Sequence, residues 1–314
     1  MEFQNADIIS VNQFDRPDLE KVFTLSDQMR EIARGKIRNR LLDGKILANL
    51  FLEASTRSRM SFASAFSRLG GDVNSTTGMT FSSMAKGESL EDTISVIEQY
   101  CDVIAMRNPV TGSAQIAADV ANVPVINAGD GIGEHPTQAL LDAYTINAEK
   151  GRVDDLTITM TGDLKYGRTV HSLAKLMSNF DDIKFVFAAP DDFQMPDDII
   201  EDLRAKGFDV MQTDDLDGNL PDADVVYSTR LQKERLSEAD RGKDINSIFQ
   251  ITRAKVEQLC KKDVTIMHPL PRNDEVSTDV NPLPNAAYYR QAGYGMQVRM
   301  ALYLLIFGKD GDLE

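Results

Sequence analysis

Short apolar runs alternate with segments of helical spacing along almost the whole of this 314-residue chain. The runs predict buried strands, and the segments between them predict amphipathic helices. Ile46–Leu52 followed by Ser55–Leu69 is one such pair. This alternation implies parallel strands, because they need a crossover connection that is usually a helix. The predicted fold class is therefore α/β, with mainly parallel sheets covered by helices on both faces.

The length of the chain predicts two domains, since a single hydrophobic core seldom extends beyond about 250–300 residues. Gly151 ends a predicted helix, and the alternation of strand and helix then starts again. We place the first domain at 1–150 and the second at 151–289. In the last segment, about 290–314, the apolar helix Gln297–Phe307 has no strand after it. It is predicted to pack back on the first domain.

Composition excludes several classes of partner. A formal net charge of −15 argues against nucleic acid or an anionic membrane. No stretch reaches the length of uninterrupted apolar sequence that a membrane span requires, and the first residues do not resemble a secretory signal. Cys101 and Cys260 lie far apart without redox or metal spacing, which favours free thiols in a reducing compartment. A cytoplasmic protein is expected.

No cofactor or metal is expected either. The chain has no GxxxxGK[ST] loop for nucleoside triphosphates, no complete dinucleotide fingerprint and no GxSxG nucleophile motif. Its three histidines do not have the spacing of metal ligands. The chemistry must therefore come from ordinary side chains.

Positive or imidazole side chains follow six predicted strands at their carboxyl ends. Ligands of open α/β sheets bind at this edge. Each cation alone is explained as well by a solvated surface charge. Together, in so acidic a chain, they predict an anion-binding active site in the cleft between the two domains. The residues in question are Arg57, Arg107, His135, Lys165, Arg168, Arg230, His268 and Arg272.

The segment Ser55–Arg59 joins the first strand to its helix. Ser55 or Thr56 suits the N-cap position, where a hydroxyl can accept a bond from the first turn. The remaining N–H groups and the positive end of the helix dipole would then face an anion together with Arg57. An ordinary capped helix with two solvated arginines explains the same residues, so spacing alone leaves both interpretations open.

An ordered set of motifs decides between them. Taken with their order over nearly the whole chain, they resemble the aspartate/ornithine carbamoyltransferase family, in its aspartate branch. The motifs are STRSR at 55–59, KGES at 86–89, MRNP at 106–109, HPTQ at 135–138, DLKYGRTVHS at 163–172, TRLQKER at 229–235 and HPLPR at 268–272. The resemblance implies transfer of the carbamoyl group of carbamoyl phosphate to the α-amine of L-aspartate, a step of pyrimidine synthesis. It implies no cofactor.

Residue roles follow from the resemblance alone. Catalytic roles are implied for Thr56, Arg57, Lys86, Arg107 and His135. Carbamoyl phosphate would be bound by Ser55, Thr56, Arg57, Ser58, Ser82, Lys86, Arg107, His135, Gln138 and Leu270. Aspartate would be bound by Lys86, Arg168, Arg230, Gln232 and Pro271. One departure is Ser58, where the family usually has threonine, but the hydroxyl is kept.

The resemblance also implies a homotrimer with shared active sites, because the polar loop Thr76–Lys86 would reach the neighbouring subunit's site. It leaves open whether regulatory chains join the trimer and whether nucleotides control it. Two rival functions stay open at this point. One is carbamoyl transfer to another amine such as ornithine, and the other is binding of a small anion without catalysis.

Overall fold

The structure is a computed structural model that describes residues 1–78, 83–230 and 248–312. The chain divides into two compact units, Met1–Leu141 with Gly293–Glu314, and Asp142–Ala292. Over the described ranges no helix is both long and apolar enough to span a bilayer. No group of three or more His, Cys, Asp or Glu side chains there is arranged to hold a metal ion.

The first unit is built on a four-stranded parallel sheet in the order β2-β1-β3-β4. Its strands are β1 (Ile46–Phe51), β2 (Asp72–Thr77), β3 (Val103–Asn108) and β4 (Val125–Asp130). Strands β1, β3 and β4 are apolar and almost entirely buried, whereas the polar β2 is exposed at one edge. Since β2 lies on one side of β1 and β3 on the other, the order reverses at β1, and the crevice between β1 and β3 is a switch point.

The second unit contains a five-stranded parallel sheet in the order β7-β6-β5-β8-β9. Its strands are β5 (Leu156–Thr161), β6 (Ile183–Ala188), β7 (Asp209–Thr213), β8 (Val225–Ser228) and β9 (Thr265–Met267). The order reverses here at β5, so this sheet has its switch point between β5 and β8. Apolar side chains from β6, β8 and β9 form a buried core with those of the segments that follow them.

Several helices have one apolar face, as the sequence predicts. The helices are α1 (Arg16–Gln28), α2 (Arg30–Ala33), α3 (Thr56–Arg68), α4 (Leu90–Ile97), α5 (Ser113–Val120), α6 (Pro136–Lys150), α7 (Arg168–Met177), α8 (Asp197–Ala205), α9 (Arg253–Leu259) and α10 (Tyr288–Ile306). Short 3-10 helices lie at Val11–Gln13, Ser83–Lys86, Glu98–Tyr100, Asp191–Phe193, Asp217–Asn219 and Thr278–Val280. Helices α6 and α10 are instead buried on nearly all sides, and each contributes residues to both units.

The boundary predicted from the sequence, Gly151, directly follows the end of α6. In the structure the first compact unit ends inside that helix, at Leu141. Asp142 explains this difference. Its buried carboxylate accepts hydrogen bonds from Tyr227 (2.7 Å) and Gln291 (2.6 Å), which lie in the second unit. The last turns of α6 therefore associate with the second sheet.

The final helix begins at Tyr288, nine residues before the apolar run that predicts it. Two glycines in its first half lower the helix propensity of that part. Tertiary packing overrides this, because a side chain on Gly295 would lie 2.9 Å from the Leu141 side chain. Further along, the Tyr303 ring packs edge-on against Phe66 of α3, with centroids 4.9 Å apart.

Two other segments differ from the prediction. Residues 76–86 are predicted to have no regular structure, yet Thr76 and Thr77 complete β2 by pairing with β1, and Ser83–Lys86 form a 3-10 helix. Residues 79–82, and with them Ser82, lie outside the described ranges. Arg107 is predicted just beyond its strand, but it lies within β3, because Phe51 pairs with it in the parallel register.

Candidate active site

The segment between β1 and α3 places four site residues predicted from the sequence side by side. Ser55 occupies the N-cap position of α3 with extended backbone (φ −157°, ψ 99°). The expectation that its hydroxyl caps the helix is wrong, because the Ser55 side chain makes no such bond within the described structure. Thr56 and Arg57 are exposed and Ser58 is partly buried in the first turn. The N–H groups of this turn therefore keep their capacity for an anion.

Arg107 lies near the carboxyl end of β3, on the neighbouring strand. Its carbonyl oxygen accepts the N–H of Leu52 at 2.8 Å, which ties the two strand ends together. Its guanidinium pairs with the Glu53 carboxylate (Nη2 to Oε2, 3.0 Å) and donates to the Ala128 carbonyl at 3.4 Å. The Arg107 side chain is 12% exposed, so the sheet holds this cation in a nearly fixed place.

Arg57 and Arg107 are close enough to influence each other. Arg57 is exposed, but partial burial and, after it, the positive charge of Arg107 lower the pKa of its guanidinium. Arg57 follows β1 and Arg107 lies near the end of β3, so both guanidiniums lie at the switch point of the sheet, where ligands of open α/β sheets bind. A phosphate is an anion that both guanidiniums match.

His135 and Gln138 lie at the start of α6, in the same unit. The His135 ring is buried (4% exposed), and its Nδ1 is 3.5 Å from the hydroxyl oxygen of Thr137, which is also buried. Gln138 is partly buried one turn into the helix. His135 is thus held against the helix start with little freedom to move. Lys86, by contrast, is exposed at the end of its 3-10 helix.

In the second unit, two of the predicted site residues follow β5 and β8, the strands on either side of its switch point. Arg168 is the first residue of α7, after β5, and is partly buried. Arg230 is exposed directly after Thr229, which follows β8. Thr229 donates its N–H to the Thr161 carbonyl at 2.8 Å, so the two strand ends are joined where these arginines emerge. Gln232 lies outside the described residues.

Gly162 makes this close junction between the strand ends sterically feasible. Its φ of +108° disfavours other residues, and a Cβ there would overlap the Thr229 carbonyl oxygen. We expect Gly162→Ala to lower the free energy of unfolding by at least about 2 kcal/mol, measured by denaturant titration. The matched control is Gly151→Ala, where φ is +69° but nothing lies within 4 Å; it should cost only about 1 kcal/mol. Equal losses for both variants would contradict this account.

The segment after β9 contains His268, Leu270, Pro271 and Arg272. Leu270 has the left-handed φ of +58°, and the Leu270–Pro271 peptide is cis. Pro271 is exposed. Arg272, one of the cations at the predicted strand ends, donates to the Val276 carbonyl at 2.7 Å, and its guanidinium lies 5.3 Å from the centre of the Tyr288 ring. These contacts give Arg272 a structural role in holding the segment.

Sequence reasoning missed two groups that the structure brings to these places. Glu53, the ion-pair partner of Arg107, directly follows the first strand, and its position just before the serine-rich turn was the available signal. The second is Glu275, which is buried and pairs with His268, a residue that the sequence did indicate. Nothing in the position of Glu275 along the chain distinguishes it from a solvated carboxylate.

Comparison with known proteins accounts for both units. Residues 6–148 match the family model described as the carbamoyl-P binding domain of aspartate/ornithine carbamoyltransferase. Residues 154–306 match that of the Asp/Orn binding domain of the same family.

Relatives that match nearly the whole of this chain carry names from the same family. The aspartate carbamoyltransferase catalytic subunit of Dichelobacter nodosus is 48% identical, covering 100% of this chain and 93% of that protein. The subunit of the same name from Methanopyrus kandleri is 47% identical, with 98% of each chain covered.

Solved structures share the fold. The catalytic subunit of M. jannaschii aspartate transcarbamoylase has a TM-score of 0.91 at 44% identity, with 100% of both chains covered. Aspartate transcarbamoylase from Trypanosoma cruzi, in complex with N-(phosphonacetyl)-L-aspartic acid, has a TM-score of 0.90 at 44% identity, covering 97% of this chain and 96% of that one. The predicted family and the predicted class of two parallel-sheet α/β domains are confirmed. The chain belongs to the aspartate/ornithine carbamoyltransferase family.

Proposed function

We propose that this chain is an aspartate carbamoyltransferase, which converts carbamoyl phosphate and L-aspartate into N-carbamoyl-L-aspartate and phosphate in pyrimidine synthesis. The observation that carries the proposal is the placement of Arg57 and Arg107 at the carboxyl ends of the neighbouring strands β1 and β3, at the switch point of a carbamoyl-P binding domain. The Trypanosoma cruzi relative has been crystallised with carbamoyl phosphate and with carbamoyl aspartate.

The phosphate group binds at the start of α3. Backbone N–H groups of the first turn and the hydroxyls of Ser55, Thr56 and Ser58 donate to its oxygens, and the helix dipole favours its negative charge. Arg57 adds charge-assisted bonds, which are about twice as strong as neutral ones. By resemblance, Ser82 and Lys86 complete this set of phosphate ligands.

The reaction is a direct attack without a covalent enzyme intermediate. The lone pair of the aspartate amine forms a bond to the carbamoyl carbon, and negative charge develops on the carbonyl oxygen. Thr56, Arg107 and His135 stabilise that oxyanion, a role in which one donor contributes about 3–4 kcal/mol in other enzymes. The bond to the phosphate oxygen then breaks and phosphate leaves. The leaving phosphate accepts the amine proton, and His135 is the competing acceptor.

The remaining residues orient the two substrates. Gln138 and the backbone carbonyl of Leu270 accept the hydrogen bonds of the carbamoyl NH2 group. Arg168 binds the α-carboxylate of aspartate, and Arg230 with Gln232 binds the β-carboxylate, since guanidinium forks match carboxylates bidentately. By resemblance, Lys86 and Pro271 also contact aspartate.

A direct assay tests the proposal. The purified chain should form carbamoyl aspartate and phosphate with aspartate as acceptor, and no citrulline with ornithine. A cationic acceptor side chain would need a carboxylate in its pocket, whereas Arg230, which is assigned to the β-carboxylate, offers a cation. Turnover with ornithine would contradict the proposal. Calorimetric binding of carbamoyl phosphate without turnover would instead support a non-catalytic anion-binding protein.

We also propose that the active enzyme is a homotrimer in which Lys86 of each chain serves the site of its neighbour. A chain with Lys86→Ala and one with Arg107→Ala should each be nearly inactive. Mixed at equal amounts and reassembled, they should regain about one quarter of wild-type activity, because a ring of three with both chain types contains one intact site. Wild-type chain mixed with Lys86→Ala chain is the control for reassembly. Mixed trimers that stay inactive in every proportion would refute the shared site.

The sequence leaves the association with regulatory chains open and predicts a cytoplasmic location. The mass of the assembly, measured with and without candidate regulatory nucleotides, tests that association.

A further inference from the structure

The segment His268–Val276, called here the HPLP segment, has a buried imidazole at its centre. The His268 ring is 1% exposed, and both of its nitrogens have partners. Nδ1 lies 2.8 Å from the backbone nitrogen of Leu270, and Nε2 lies 2.8 Å from Oε1 of Glu275. The imidazole therefore bridges one end of the segment to the other.

These two partners determine which nitrogen carries the proton. The backbone N–H of Leu270 can only donate, so Nδ1 must accept, and the proton must be on Nε2. Nε2 then donates to the carboxylate of Glu275. That carboxylate is itself buried, and its Oε1 also accepts the N–H of Asn273 at 3.0 Å.

The charge state of Glu275 supports this arrangement. Burial raises the pKa of the Glu275 carboxyl. The hydrogen bonds from His268 and from the Asn273 backbone together lower this pKa by more than burial raises it, so the net shift is downward. The carboxylate is thus an ionised acceptor at neutral pH. Its negative charge favours Nε2–H and leaves Nδ1 as the acceptor for Leu270.

Leu270 needs such a restraint. Its φ of +58° is the left-handed region, which costs a residue with a side chain about 1–2 kcal/mol. Backbone held in such a conformation persists only where its surroundings determine it, and it is often found at ligand sites. The bond from its N–H to His268 fixes the peptide before Leu270, and with it the place from which the Leu270 carbonyl projects.

The imidazole is anchored in turn by the core of the second unit. The backbone N–H of His268 donates to the Gln291 side chain at 3.0 Å, and Gln291 donates to the buried carboxylate of Asp142. The hydroxyl of Tyr227, on β8, donates to the same carboxylate. His268 therefore connects Leu270 by hydrogen bonds to the rigid core of the second unit.

We propose that His268 and Glu275 are positioning residues that hold the Leu270 carbonyl oxygen where it accepts a hydrogen bond from the carbamoyl NH2 group. This inference rests on the proposed function. It assigns to a buried pair the recognition of the NH2 group, the feature that separates carbamoyl phosphate from other acyl phosphates.

Acetyl phosphate is the probe for this recognition, because a methyl group replaces the NH2 group. The dissociation constants of both acyl phosphates are measured by calorimetry on the full-length chain. The wild-type protein should prefer carbamoyl phosphate. In His268→Gln, which can reach Glu275 but has no acceptor at the Nδ1 position, the affinity for carbamoyl phosphate should fall about tenfold with that for acetyl phosphate unchanged.

Conservative variants separate positioning from a general loss of structure. His268→Asn keeps an oxygen near the Nδ1 position and should retain most of the preference. Glu275→Gln keeps the acceptor oxygen and should resemble wild type, whereas Glu275→Ala should resemble His268→Gln. The matched control is Glu257→Gln, a carboxylate on the exposed face of α9 that pairs with Arg253 at 2.7 Å; it should change neither constant.

The outcomes are distinguishable. Equal weakening of both acyl phosphates in His268→Gln and Glu275→Ala, or no change in either, would overturn the positioning role. If His268→Gln does not fold, the comparison of Glu275→Ala with Glu275→Gln decides the question in the same way. A wild-type chain that forms carbamoyl aspartate without preferring carbamoyl phosphate to acetyl phosphate would overturn the inference alone, whereas a chain that forms no carbamoyl aspartate would refute the proposed function.

Discussion

Replacing Arg57 by alanine is expected to lower kcat by about 10³-fold or more, with a much smaller effect on the affinity for carbamoyl phosphate. Arg57 lies in the first turn of α3, where backbone N–H groups and hydroxyls also bind phosphate. These groups can hold the substrate without it. The departing phosphate gains negative charge as its bond breaks, and a guanidinium directed at such charge contributes 10³–10⁵ in other phosphate enzymes.

The measurement is steady-state kinetics together with direct titration of carbamoyl phosphate. Arg68→Ala is the matched control, since Arg68 is an exposed arginine in the last turn of the same helix and should leave kcat within about twofold. A loss confined to KM would show that Arg57 serves binding alone, and would contradict its catalytic role. Arg57→Lys should recover only part of the rate, because lysine lacks the planar fork.

The second large effect is expected at Arg107, but in both kinetic constants. By the proposed mechanism this side chain contacts phosphate and the carbonyl oxygen, so that it acts in the ground state and in the transition state. Arg107→Ala should therefore weaken carbamoyl phosphate binding and lower kcat, with a combined loss in kcat/KM of about 10³-fold or more. Because the Arg107 side chain is nearly buried, a cation from solvent is not expected to replace it in the alanine variant.

Arg107→Ala also leaves Glu53 without the ion pair that now joins them at 3.0 Å. Stability must therefore be followed beside activity, by thermal unfolding of the same samples. Arg40→Ala is the control in the same unit, because Arg40 is 81% exposed and its nearest carboxylate is 3.9 Å away. A loss of less than about tenfold in kcat/KM for a folded Arg107→Ala chain would exclude Arg107 from the reaction.

The two arginines are also expected to depend on each other. They lie at the same switch point, and burial and the positive charge of Arg107 lower the pKa of Arg57. In a chain with net charge −15, this local concentration of positive groups overcomes the overall repulsion of anionic substrates. The effects of the two alanine substitutions should therefore not be additive.

Local periodicity was sufficient to predict many of the elements. Strand β1 and helix α3 lie within one residue of the bounds that the apolar pattern gives, Ile46–Leu52 and Ser55–Leu69, and helix α6 ends at Lys150, just before Gly151. The family was predicted from a set of motifs and from their order along the chain, both of which can be read without a structure. The start of α10 was not predictable, since packing around Gly295 outweighs the low helix propensity of its first half.

The amino-acid sequence by itself thus determined the fold class, the family and which side chains follow each strand, because these depend on neighbours along the chain. Only the tertiary structure decided the order of the strands, and with it the two switch points. One has Arg57 and Arg107 at neighbouring strand ends, and at the other Gly162 packs closely against Thr229. The tertiary structure also decided that Glu53 pairs with Arg107 and Glu275 with His268. Such pairings depend on the register of parallel strands and on desolvation inside a packed core, which local sequence patterns do not encode.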